Sequence, residues 1–172
     1  MCGIAGILGP KNGEVVKKMT SLIAHRGPDE AGFFVDENVA LGMRRLSIID
    51  LAGGHQPIFS ADGRYLIFFN GEIYNYLEIK KEIGKRYGFK TQTDTEVLLA
   101  SYVLWGESCL KKFNGMFSFA IWDKKRQTLF CARDRLGIKP FFYSIRNGTF
   151  YFASEIKALL SLGIPRQPNE RI

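Results

Sequence analysis

Short, largely apolar runs at Cys2–Leu8, Tyr65–Phe69 and Met116–Trp122 alternate with stretches whose apolar residues recur at helical spacing. Runs of five to seven apolar residues read as buried strands. Val15, Val16, Met19, Leu22 and Ile23 follow a 3.6-residue period and predict a first helix, which Arg26-Gly27-Pro28-Asp29 breaks. Further strands are expected near Gly32–Val35, Ala40–Ile49, Leu129–Arg133, Phe141–Ile145 and Phe150–Ala153. Tyr76–Arg86 reads as a second helix with Ile79 and Ile83 on one side. Thr93-Asp94-Thr95-Glu96 opens a third, running to about Trp105.

Connections in the last third are short, and Arg146-Asn147-Gly148-Thr149 is a type I′ hairpin signal. Short connections join antiparallel neighbours, which argues against a doubly wound parallel sheet. Yet Tyr65–Phe69 and Phe117–Trp122 are apolar on both faces, so both faces must be covered. The expected fold is therefore α+β, a four-layer α-β-β-α sandwich of two antiparallel sheets. No linker, repeat or biased tract divides the chain, and residues 1–172 are expected to form a single domain.

Composition narrows the classes. The 172 residues are 46% apolar and 24% charged, which excludes a disordered chain. No apolar run reaches the roughly 18 residues that span a bilayer, and no signal peptide is evident. The three cysteines, Cys2, Cys109 and Cys131, are too widely spaced for a disulfide framework or a zinc ribbon. A cytoplasmic protein follows as the expectation. Cys109, Cys131 and His55 read as packing residues, and with two histidines no metal site is expected. The net charge of +7 comes from scattered basic pairs, several beside acids at helical spacing, as in Glu78/Lys81 and Glu82/Arg86. No nucleic-acid motif accompanies them, and no nucleic-acid partner is expected.

Four features bear on chemistry. If Met1 is removed, the chain begins with Cys2, whose thiol and α-amine together form a nucleophile and its own base. Taken alone, Cys2 reads more readily as a small buried residue that happens to stand second. Asn70-Gly71 follows an apolar strand; an Asn amide and the next backbone N–H could form an oxyanion hole, or the pair could be an ordinary turn. Arg44 and Arg45 lie in an apolar strand, and an inward Arg45 could clamp a carboxylate, while an outward one would be solvated. Asp94 could cap a helix, but Thr93 and Glu96 already have capping-box spacing, leaving Asp94 to bind an ammonium.

Taken in order, Cys2-Gly3-Ile4-Ala5-Gly6, His25-Arg26-Gly27-Pro28-Asp29, Arg45–Asp50, Gln56-Pro57, Asn70–Asn75, Thr93–Glu96, Asp134–Pro140 and Phe152–Leu159 resemble the glutaminase domain of glutamine-hydrolysing asparagine synthetases. The resemblance runs from Cys2 to about Leu162. It implies a class II glutamine amidotransferase domain of the N-terminal-nucleophile hydrolase fold, in which Cys2 attacks the side-chain amide of L-glutamine to give a glutamyl thioester and ammonia. Asn70 and Gly71 would form the oxyanion hole, Arg45 would hold the α-carboxylate, and Glu72 and Asp94 the α-ammonium. The main chain of Leu46, Ser47, Ile48 and Ile49 would line the glutamine pocket. His25 and Arg26 are left as braces of a turn.

In that family a synthetase domain carrying the aspartate-amidating chemistry follows. This sequence ends about where it would start and has no phosphate-cradling motif. ATP and Mg are therefore expected only with that domain, and no cofactor in this one. A synthetase domain or subunit and a possible homodimer are the partners implied. A non-catalytic docking module of the same fold is the alternative reading.

Overall fold

The computed structural model describes residues 1–10, 13–47 and 53–166. In chain order the elements are β1 (Gly3–Leu8), α1 (Gly13–Leu22), β2 (Glu30–Val35), β3 (Val39–Arg45), β4 (Ile58–Phe59), β5 (Tyr65–Ile73), α2 (Tyr76–Ile83), α3 (Asp94–Trp105), β6 (Gly115–Asp123), β7 (Thr128–Arg133), β8 (Phe142–Arg146), β9 (Thr149–Ala153) and α4 (Ile156–Leu160). They form a five-stranded sheet of order β2-β3-β1-β9-β8 and a four-stranded sheet of order β4-β5-β6-β7. Each strand pair is antiparallel.

Alternation along the strands builds three apolar layers. Ile4, Leu41, Met43, Leu66, Phe68, Ala120, Trp122 and Phe152 pack between the sheets. Their sequence neighbours Ala5, Ile7, Ala40 and Ala153 face the other way, onto Val16 and Met19 of α1 and Leu159 of α4. Ile67, Phe69, Phe119 and Ile121 likewise face α2 and α3. Strands apolar on both faces are thus covered on both, as the sandwich requires. The hairpin between β8 and β9 turns through Asn147 and Gly148, both at positive φ (49° and 75°), as its Asn-Gly pair predicts.

The boundaries differ in instructive ways. β3 ends at Arg45 rather than Ile49, because the next peptide group, that of Leu46, bonds the Cys2 thiol. Ile48 and Ile49 lie outside the described residues. Helix α2 stops at Ile83, and Gly84–Arg86 tightens into a 3₁₀ turn. Arg86 does not pair with the Glu82 carboxylate: it donates to the Glu82 carbonyl, while that carboxylate takes Lys112 at 2.6 Å. Among the described residues no helix is long and apolar enough to cross a membrane.

A candidate active site at the open end of the sandwich

The inter-sheet layer changes chemistry at one end. Cys2 has the parity of Ile4 on β1, Arg45 that of Met43 on β3, Asn70 and Glu72 that of Phe68 on β5, and Ser118 that of Ala120 on β6. Where the aliphatic and aromatic filling stops, the same inward positions become polar. Register brings them together: Gly3 opposes Arg44, so Cys2 and Arg45 stand one step further along, and Asn70 opposes Ser118.

A cleft enclosing about 470 Å³, part of it open solvent, is lined by Cys2, Arg45, Leu46, Gly71, Glu72 and Asp94. The Cys2 sulfur lies against the backbone of one residue: the Leu46 N–H donates to it at 3.4 Å, and the thiol donates to the Leu46 carbonyl at 3.6 Å. Arg26 Nε donates to the Cys2 carbonyl at 3.0 Å and Nη1 to Glu155 at 3.3 Å, so Arg26 anchors the Cys2 backbone. Ser47 does not line the cleft. Its N–H donates to Asp29 at 2.9 Å and fastens the chain leaving β3 to the turn after α1.

Asn70 and Gly71 occupy neither a turn nor a strand end; both are paired inside β5. The glycine is required by the neighbouring strand as well as by any ligand. A Cβ at Gly71 would collide with the Met116 carbonyl oxygen and the Phe117 Cα of β6. Asn70 is 1% exposed, and its Nδ2 has no hydrogen-bond partner. A buried amide donor without a partner costs roughly 1–3 kcal/mol; Asn70 itself does not line the cleft, which its neighbours Phe69 and Gly71 do.

Arg45 points inward, buried, with Nη1 3.1 Å from Glu30 Oε2. The other oxygen of Glu30 meets His55 Nδ1 at 2.9 Å. His55 is exposed, not packed as its sequence reading had it, and ties the segment around Gly54 and Gln56 to the arginine. Gln56 fixes that segment to β5 by exchanging two hydrogen bonds with the Phe69 backbone, at 2.7 and 3.3 Å. Gln56 and Gly54 also line the cleft, a role that sequence reasoning missed although Gln56-Pro57 stood out as a motif.

The α3 terminus behaves as its spacing predicts, with one change. Thr93 caps, accepting from the Glu96 N–H at 3.2 Å. Glu96 does not close the box on Thr93; it accepts instead from the Lys90 and Thr91 N–H groups. Asp94 is thereby released from capping. Buried and accepting from the Ile73 N–H at 3.0 Å, its carboxyl is pushed up to about 6, chiefly by burial and further by the nearby Glu72 carboxylate. Since the folded value lies above the ordinary 3.8, the ionised carboxylate destabilises the ligand-free fold above about pH 6. That penalty fades as the pH falls through 6 towards 4. Asp94→Asn is expected to be more stable than the wild type at pH 8, by up to about 3 kcal/mol for a shift of roughly two units. At pH 4 the two should melt together; thermal melts at both values check this.

Burial pushes the Cys109 and Cys131 thiols up to about 12, in keeping with packing roles. Among the described residues no three His, Cys, Asp or Glu side chains are grouped to hold a metal ion.

Residues 1–171 match a family model described as a glutamine amidotransferase domain. Asparagine synthetase [glutamine-hydrolyzing] 1 of Bacillus subtilis is 48% identical over 168 residues, 93% of this chain and 27% of that protein. Asparagine synthetase B [glutamine-hydrolyzing] of Escherichia coli is 39% identical over 166 residues, 93% of this chain and 30% of that one. The chain therefore spans less than a third of the length of these curated relatives. Among solved structures, the glutamine phosphoribosylpyrophosphate amidotransferase from B. subtilis complexed with ADP and GMP superposes with a TM-score of 0.80 at 22% identity, over 94% of this chain and 44% of that one. The last likeness speaks for the fold alone, two antiparallel sheets stacked between helices. The family match over nearly every residue establishes that this chain belongs to the glutamine amidotransferase domain family.

Proposed function

We propose that the domain hydrolyses the side-chain amide of L-glutamine through a thioester on Cys2. The observation that carries this reading is the buried, unpartnered Asn70 amide on the inter-sheet face it shares with Cys2. In the first half-reaction the thiol proton passes to the Cys2 α-amine, sulfur bonds the amide carbon, and the carbon–nitrogen bond breaks. Ammonia leaves with the proton returned by the amine. A water then adds to the thioester, giving its proton to the amine, and glutamate departs as the thiol is restored. Asn70 Nδ2 and the Gly71 N–H stabilise the oxyanion in both halves.

Recognition of a free α-amino acid divides between opposite walls of the cleft. Arg45, held by Glu30, takes the α-carboxylate; Glu72 and Asp94 take the α-ammonium. Binding the ammonium offsets the cost of ionising Asp94, so Asp94→Asn should raise KM by roughly thirty-fold, an effect of about 2 kcal/mol. Leu46 contributes backbone to the pocket; Ile48 and Ile49 lie outside the described residues.

The ammonia is destined for an ATP-dependent synthetase domain or subunit that amidates aspartate. The asparagine synthetases matched, far longer than this chain, support that assignment. ATP and Mg belong to that partner, and this domain works without a cofactor.

The test is glutamate release from glutamine by the purified chain. Protein freed of Met1 should turn over. Protein whose intact mass still includes Met1 should be almost inactive, because an amide nitrogen is no base. Equal turnover by both forms would refute the amine as proton carrier.

A further inference from the structure

The segment Asp134-Arg135-Leu136-Gly137-Ile138-Lys139 has its polarity reversed. Leu136 is 86% exposed and Ile138 56%, whereas Lys139 is 4% exposed. A loop that presents its aliphatic residues to solvent and buries its lysine is held that way by specific bonds. The Asp134 carboxylate accepts from the backbone N–H groups of Phe117, Ile138 and Lys139 at 3.2, 2.8 and 2.9 Å. Gly137, at φ +65°, closes the turn by donating to the Asp134 carbonyl. From β7, Arg133 grips the carbonyls of Lys139 and Gly137 at 2.6 and 2.5 Å. An acid and a guanidinium thus fix both sides of the loop around the lysine.

Lys139 reaches the N-terminal residue. Its Nζ lies 3.4 Å from the Sδ of Met1, the residue joined to the Cys2 nitrogen. A thioether is a poor acceptor, and among the described residues no carboxylate pairs with this ammonium at salt-bridge distance. The charged and titratable groups within electrostatic reach of it are Cys2, just before β1, Arg26 from the turn after α1, Glu72 from β5 and Asp134 of its own loop. Burial and Arg26 disfavour its charge; Cys2, Glu72 and Asp134 favour it. An ammonium buried without a direct partner is a cost that packing does not explain.

We propose that Lys139 is a positioning residue for the nucleophile: once Met1 is removed, its buried positive charge keeps the Cys2 sulfur ready to ionise and the Cys2 α-amine uncharged. A neighbouring cation favours thiolate over thiol and amine over ammonium, so a single charge serves both the attacking atom and its base. The inference rests on the reading of Cys2 as nucleophile.

The experiment follows the pH dependence of Cys2 alkylation by iodoacetamide, read by peptide mass, in Met1-free wild type, Lys139→Met and Lys139→Arg. The rising limb should move up by about one pH unit in Lys139→Met, a roughly tenfold slower reaction below the limb. Lys139→Arg, which keeps the charge, should stay close to the wild type. Coincident profiles for wild type and Lys139→Met, or an equal shift in Lys139→Arg and Lys139→Met, overturn the proposal. If Lys139→Met loses its folded circular dichroism, Lys139→Gln reads the same quantity with a shorter side chain. Glutamate release measured on the same samples separates the two readings. A profile that answers to Lys139 in protein without turnover would sink the glutaminase reading and leave this one standing.

Discussion

Cys2→Ala should release no glutamate from glutamine above background, a fall of roughly 10⁴-fold or more, while melting close to the wild type. The loss is expected to be total in practice because no other thiol can take over. Cys109 is fully buried in the layer under α3, Cys131 packs on the inter-sheet core, and burial holds both near 12. The fold should tolerate the change, since Cys2 makes only two long contacts to the Leu46 backbone through its sulfur. Paired assays of glutamate release and melting temperature decide it. Turnover within tenfold of the wild type in a properly folded Cys2→Ala protein would remove the nucleophile from the mechanism.

Asn70→Ala is the second large effect. Loss of one oxyanion donor is expected to lower kcat by roughly 10²–10³-fold with little change in KM, because the donor meets its acceptor only as charge develops. Stability supplies an independent readout. A structural asparagine loses hydrogen bonds when truncated, and the protein softens; the Nδ2 of Asn70 has no bond in the fold to lose. Asn70→Ala should therefore melt within a few degrees of the wild type while nearly inactive. A protein that is strongly destabilised yet turns over at a normal rate would recast Asn70 as a core residue. Steady-state kinetics beside thermal melts distinguish the two.

The sandwich was legible because its strands carry two faces of apolar residues. Leu66 and Phe68 need one partner layer, Ile67 and Phe69 another, and two sheets between helices supply both. The cleft was legible as a set of residue types, since Cys2, Arg45, Gly71, Glu72 and Asp94 all reach it. What misled was local propensity. Asn-Gly favours turns, yet Asn70 and Gly71 stay extended because β6 pairs with them throughout and approaches too closely for any side chain at position 71. The extension of β3 to Ile49 followed from an apolar run, whereas the strand stops where Leu46 gives its peptide group to a sulfur 44 residues away. β4, two residues long, and α4, five, are too short to show a period at all. Lys139 was hidden for a different reason: its burial depends on the Asp134 and Arg133 bonds, and nothing in a lysine between isoleucine and proline announces which way it points.

The position of β1 in the middle of its sheet ties the nucleophile to the timing of synthesis. One edge of β1 pairs with β3, only some 40 residues later, but the other waits for β9, and Ile4 bonds both the backbone and the hydroxyl of Ser154, 150 positions further on. At a translation rate of about 5–20 residues per second, that gap lasts roughly 8–30 s. Until it closes, the strand that follows Cys2 lacks half its ladder. A ribosome-bound chain short of residue 153 is thus expected to leave Cys2 on a half-paired strand, its backbone set only when the last strand docks.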